Sequence, residues 1–180
     1  MARQAYGRNK PQKRVLRRSG KPPIVHCMMI PAGEETLMLP TSVMKEVVDY
    51  QPPAPTDSAP PWLLGQIEWE SRQVPVFSFP ALINGTEVGE IPSRSKIIIL
   101  KSLVEAGRVP FIGLLMDDLP RPVEVTEKDI QGTGDDKKSL GVFSRIRFEE
   151  EDAIVPDMDR LAHLVTHATF GALPITQLDE

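Results

Sequence analysis

The side chains able to do chemistry in this chain are few, and their spacing does not combine them. His163 and His167 stand four apart in His-Leu-Val-Thr-His, a spacing that would put two imidazoles on one side of a helix as in a zinc site. The glutamate that serves as base in H-E-x-x-H is missing, so the pair reads as surface histidines completing a helix dipole. His26 and Cys27 are neighbours on an expected strand and point to opposite faces, so they cannot act as base and nucleophile for one another. Cys27 reads as a small core residue. Gly132-Thr-Gly134-Asp-Asp-Lys137-Lys138-Ser139 has the composition of a phosphate loop without the G-x-x-x-x-G-K-[ST] spacing, and its aspartates would repel phosphate. Asp117-Asp118 is a carboxylate pair at the end of an apolar run, where solvation is the ordinary role. No reaction, cofactor, metal or small-molecule substrate is specified, and the chain reads as a binding module.

The elements that would position these residues are mainly strands. Leu63 to Trp69 and Val74 to Phe77 are apolar arms around Glu70, Ser71, Arg72 and Gln73, which predicts a hairpin with a four-residue loop. Gly65 within the first arm signals a bulge or a close backbone, and Pro75 within the second signals an edge or a strand end. A first hairpin is expected over Ile24 to Ile30 and Thr36 to Leu39, turning near Gly33. Thr41 or Ser42 is expected to cap a two-turn helix with Val43, Met44, Val47 and Val48 on its apolar face and Glu46 projecting from it. Residues 51 to 61 hold five of the chain's prolines and predict a stiff, extended connection.

Asn84 to Ser95 reads as a surface loop. Lys96 to Val104 and Val109 to Met116 form a second hairpin, whose Ile97-Ile98-Ile99-Leu100 run requires burial on both strand faces. Prolines keep Val123 to Ile130 from forming a regular helix, and Gln131 to Ser139 reads as a polar loop. Gly141 to Phe148 and Ala153 to Val155 predict a third hairpin with Glu149 to Asp152 as its tip. Its Ile146-Arg-Phe-Glu echoes Ile67-Glu-Trp-Glu, a hint of two related halves. Asp157 is expected to cap a helix carrying Leu161, Leu164, Val165 and Ala168 and ending near Gly171.

Composition narrows the class. Residues 1 to 22 carry eight basic and no acidic residues, while the rest of the chain sums to -12. Such a basic stretch, poor in large apolar residues, is expected to be a disordered tail. It is either simply solvated or a tether to anionic lipid, nucleic acid or an acidic protein. The expected organisation is that tail, an ordered domain over 23–170 and a short tail over 171–180. The 18 prolines favour strands and loops. A lone cysteine excludes an internal disulfide and suits a reducing compartment, and neither a secretory signal nor a membrane span is visible, so the cytoplasm is expected.

Three motifs, in order, resemble the CheW-like adaptor family. Leu64-Gly65-Gln66-Ile67-Glu68-Trp69 with Val74-Pro75-Val76-Phe77 is similar to its L-G-x-I-x-L-R-G-x-x-V-P-V segment. Ile112-Gly113-Leu114-Leu115-Met116-Asp117 is similar to its V-G-L-L-V-D strand, and Asp157-Met-Asp-Arg-Leu161 to its closing D-x-x-x-L. The resemblance covers residues 24 to 166 and is nearest to the ChpC type associated with chemosensory control of type IV pili. It implies a mainly β fold of two five-stranded barrels, each around its own core with a hydrophobic groove between. It also implies a non-enzymatic function: coupling a chemoreceptor's cytoplasmic tip to the regulatory domain of a CheA-type histidine kinase. Glu46 would match the family's glutamate in its first short helix. Val47, Val48, Leu64, Gly65, Ile67, Val74 and Pro75 would lie in or beside the docking surfaces.

Glu70-Ser71 stands where the family has Arg-Gly, so the arginine expected beside the Glu46 carboxylate is missing. With Arg72 as the nearest compensating charge, Glu70 and Glu46 together imply a more basic partner than the family's usual one. The competing class is a nucleic-acid-binding small barrel using the basic tail. An acidic remainder and 6% aromatic residues disfavour it by leaving few stacking platforms.

Overall fold

The computed structural model describes residues 20–102, 109–134 and 139–171; residues 1–19 of the expected tail over 1–22, residues 172–180 of that over 171–180, and the tip of the second hairpin lie outside them. The first hairpin pairs β1 (Val25–Ala32) with β2 (Glu35–Pro40) through a turn at Gly33, whose φ of 62° is glycine-compatible. The helix expected at Thr41 does not form. Thr41–Val43 makes one 3-10 turn, and Met44–Asp49 is strand β3, with Glu46, Val47 and Val48 paired to Ile99, Ile98 and Ile97. Two adjacent valines suit a pleated surface better than a helix, and a long-range partner decides the matter.

The opening motif forms β4 (Leu63–Trp69) and β5 (Arg72–Phe77). Its loop is two residues, not four: Glu70 and Ser71 both take positive φ, 46° and 59°, as a type I′ turn requires. Both signals read from Gly65 are present. The ladder is bulged between Leu63 and Gly65, and the carbonyl of Ala54 lies 2.1 Å from where a Cβ on Gly65 would stand. The proline-rich connection passes there, exchanging two 2.8 Å backbone hydrogen bonds between Ala54 and Gln66. Pro75 is not on an edge strand, because β5 is flanked by β4 and β7; its parallel pairing with β7 begins at Val76, so Pro75 sits where that ladder ends.

A helix to which the sequence reading assigns no element, α1 (Phe79–Asn84), follows β5, capped by Ser78 and ended by left-handed Gly85. Then come β6 (Lys96–Lys101), β7 (Phe111–Met116), β8 (Arg121–Val125), a 3-10 turn at Glu127–Asp129, β9 (Ile130–Gly132), β10 (Val142–Phe148), β11 (Glu151–Pro156) and α2 (Met158–Phe170). Asp157 caps α2, its carboxylate accepting from the Arg160 amide at 2.9 Å, and Gly171 ends it. Residues 135–138 of the expected polar loop lie outside the described residues, and β9 occupies its start.

Two sheets result, in the orders β3-β6-β7-β5-β4 and β8-β1-β2-β11-β10-β9, so the fold is mainly β with two barrel-like units. The second has six strands where five were expected, the addition being β9. Without β9, the two orders superimpose strand for strand, with antiparallel and parallel pairings in the same places. Residues 25–84 and 96–170 each run hairpin, strand, hairpin, helix, and each half lends its first hairpin to the sheet of the other. The echo between Ile67 and Ile146 belongs to this pattern: β10–β11 repeats the two-residue turn, at Glu149 and Glu150, and the bulge, between Val142 and Ser144.

The cores follow the strands. Ile97 and Ile99 join Ile67, Trp69, Val74 and Val76 within the first unit. Cys27, Met29, Met38, Val125, Ile146, Phe148 and Ala153 fill the second. Ile98 and Leu100, on the other face of β6, enter a larger core shared with Ile30, Leu37, Phe77, Phe79, Leu161 and Val165. The space between the sheets is therefore packed, where two separate cores with a groove between were expected.

Gly65→Ala should destabilise the protein by about 3 kcal/mol or more in urea unfolding, since φ is +132° and the Ala54 backbone blocks the new methyl. Gly85→Ala, left-handed but in open space, should cost only about 1–2 kcal/mol.

Candidate functional site

The reactive side chains found in the sequence have structural partners or none in common. Asp117 accepts from the Gly33 amide at 2.7 Å, tying the end of β7 to the first hairpin's turn, whereas Asp118 pairs with Arg94 at 3.3 Å. Cys27 is buried, and burial pushes its thiol up and away from the nucleophilic thiolate. His26 is exposed and faces Glu124 across the β1–β8 ladder at 3.7 Å. His163 and His167 are both exposed on α2. No group of three or more His, Cys, Asp or Glu side chains suited to a metal occurs among the described residues.

The residues expected to dock a partner fall into three layers. Glu46, Glu70 and Arg72 are exposed; Val47, Val48 and Leu64 are half-buried; Gly65, Ile67, Val74 and Pro75 are buried. The last four offer a partner almost no area, and their place is beneath the surface. Val48 and Leu64 rest on the core of the first unit, whereas Val47 faces the shared core, so the two valines do not share a face.

Glu46 and the opening hairpin do meet. β3 and β4 are the outer strands of the five-stranded sheet, and no ladder joins them among the described residues. Instead, the Trp69 indole N–H donates to Glu46 Oε2 at 2.7 Å, bridging the seam. The Trp69 ring also meets Phe111 edge to face, with centroids 5.0 Å apart. A buried indole needs an acceptor, and here the glutamate supplies it. The carboxylate expected to await an arginine is thus engaged by a neutral donor and keeps its charge at the surface. Farther along β3, Asp49 pairs with Lys96 of β6, and that hydrogen bond and charge hold the Asp49 carboxyl below its ordinary range.

The free edge of β4 is only partly open. The proline-rich connection occupies it at Gln66, which protects an edge that would otherwise recruit strands. A shallow groove of about 540 Å³ between that connection and β4 is lined by Tyr50, Pro52, Pro53, Ala59, Pro61, Leu64, Glu87 and Val88. What remains for docking is a half-buried apolar strip, including Leu64 and Tyr50, with charges of both signs at the hairpin tip.

Sequence reasoning missed a counterpart on the second sheet. Leu64 is the extra residue of the β4 bulge; the extra residue of the β10 bulge is Phe143, 76% exposed. Extending the noted echo three residues back from Ile67 and Ile146 lands on Leu64 and Phe143. An exposed phenylalanine fixed on a strand is a ready anchor for a protein partner.

Two related sheets, each with an apolar residue at the same bulge, make up the fold. The model of the CheW-like domain matches residues 26–165, and the chain belongs to that family. Among solved structures, the chain is similar to the scaffolding protein TtCheW from Thermoanaerobacter tengcongensis, with 18% identity and a TM-score of 0.62 over 76% of this chain and 89% of that one. That likeness supports the fold. No curated protein matches the sequence.

The Trp69–Glu46 bond gives a direct test of the seam. Trp69→Phe and Glu46→Ala should be non-additive in chemical denaturation, with a coupling energy of about 1 kcal/mol. Additive effects would mean that the bond does not close the seam.

Proposed function

We propose that the protein is a non-enzymatic chemosensory adaptor that couples the cytoplasmic tip of a chemoreceptor to the regulatory domain of a CheA-type histidine kinase. Membership of the CheW-like family supports the class of activity. The observation that carries the reading is the pair of equivalent bulges, one per sheet, presenting Leu64 and Phe143. An adaptor needs two surfaces that different partners can hold at once, and a duplicated sheet supplies them. The rigid ladders beneath these residues mean that little entropy is lost when a partner seats.

The reading extends to a ChpC-type role in type IV pilus control, drawn from the sequence resemblance, and to the cytoplasm, the compartment expected from cysteine usage and the apolar pattern of the sequence. No described helix is long and apolar enough to cross a membrane. At the tip of the first hairpin, exposed Glu70, next in sequence to the Trp69 that holds Glu46, favours a more basic partner than the family's usual one. Glu70→Arg is expected to weaken that contact.

Calorimetric titration with a CheA-type regulatory domain and with a receptor tip fragment tests the proposal. Leu64→Asp should weaken one partner by about tenfold or more while leaving the other nearly unchanged, and Phe143→Asp should weaken the opposite one. Both side chains lie at bulges outside the fully buried core, so circular dichroism should remain that of the parent. Wild-type protein that binds neither partner, or variants that bind both undiminished, would overturn the reading. A nucleic-acid gel shift across salt concentrations should show only weak, salt-sensitive binding.

A further inference from the structure

The internal repeat can be followed residue by residue, because the ladders of the two sheets keep the same register. Trp69 opposite Arg72 on β4–β5 corresponds to Phe148 opposite Glu151 on β10–β11. The parallel pairings of β5 with β7 and of β11 with β2 align the remaining strands. Glu46 opposite Ile99 then corresponds to Arg121 opposite Met29. Each unit thus carries one acid and one base at the same two places, on the outer strand and just after the hairpin turn, with the signs exchanged.

The two pairs behave differently. In the second unit, Arg121 donates to Glu151 Oε2 at 2.9 Å and Thr36 donates to Oε1 at 3.0 Å, so acid and base neutralise each other within the molecule. In the first unit the Trp69 indole takes the Glu46 carboxylate at 2.7 Å. Phe148, in the place of Trp69, has no N–H with which to intervene. Arg72 is exposed and makes no ion pair among the described residues. A tryptophan in place of a phenylalanine therefore separates an acid and a base that the fold elsewhere brings together.

We propose, resting on the coupling role above, that Trp69 withholds Glu46 so that Arg72 can take a carboxylate from the partner seated at Leu64. Arg72 is the first residue of β5 and lies opposite Trp69 in the ladder, so its backbone is fixed before the partner arrives. A guanidinium receives a carboxylate through two parallel hydrogen bonds, which fixes orientation as well as adding attraction. With Glu70 beside it facing a base, the first unit accepts a partner surface that carries both signs in a set order. Such an arrangement fixes register more strictly than net charge does. The corresponding place on the second unit, closed by Arg121 and Glu151, makes no such demand.

Titrations across salt concentrations test the proposal, using the partner whose affinity Leu64→Asp lowers. Arg72→Gln should weaken that partner by about fivefold at low salt and hardly at all at high salt, while the partner held at Phe143 is unaffected. Trp69→Phe, a change whose product already occupies the equivalent position 148, should release Glu46 to Arg72 and give the same loss. Adding Glu46→Gln to Trp69→Phe should restore binding, because Arg72 is again without an internal carboxylate. Unchanged affinity and salt response in Arg72→Gln would overturn the inference and leave the coupling role standing. A loss in Trp69→Phe that Glu46→Gln fails to restore would also overturn it, by tracing the loss to packing. Binding of neither partner by the unaltered chain would remove the coupling role and this inference with it.

Discussion

Strand β6 has no face for water, and the rest of the molecule is arranged around that fact. Ile97 and Ile99 fill the core of one unit, while Ile98 and Leu100 fill the core shared between the sheets. Burying one such side chain contributes about 1.5–3 kcal/mol, so these four alone outweigh the strain of the turns and bulges nearby. The demand is met only because β3 and β7 flank β6 within its sheet while the second sheet and the helices cover its outer side. An ordinary two-layer arrangement would leave one face of β6 wet.

That demand explains how much of the fold is legible in the sequence. Four consecutive large apolar residues announce a doubly buried strand, and four pairs of apolar arms announce four hairpins. Loop lengths are misread because β5 carries exposed Arg72 and Gln73 at its start: the end of apolar alternation is not the end of the strand. The segment after Thr41 is misassigned because Val43, Met44, Val47 and Val48 satisfy a helical stripe as well as a strand. Only the partner β6, some fifty residues later, selects between them. Ser78 followed by Pro80 was a readable start signal for α1, obscured by the apolar run around it.

The docking surface is less legible, for a different reason. Motif residues such as Ile67, Val74 and Pro75 identify the family through the shape they impose, and that role buries them. The exposed residues are the ones free to vary, as Glu70-Ser71 does here. The hydrogen bond from Trp69 to Glu46 joins two outer strands with no ladder between them, so no local pattern in either strand encodes it. Phe143 was masked similarly, since its exposure depends on a bulge that shifts it out of the alternation of β10.

The exchange of hairpins between the two halves has a bearing on how the molecule is made. A ribosome delivers β1 and β2 first, yet the strands that flank them, β8 and β11, end more than eighty and more than a hundred residues after β2 does. At ordinary elongation rates that wait is on the order of ten seconds. For that interval both outer margins of the first hairpin lack their eventual neighbours, and Ile30 and Leu37 lack the shared core. The nascent chain therefore passes through a period in which its earliest strands can pair with foreign ones, and neither half can complete its sheet before the other has emerged.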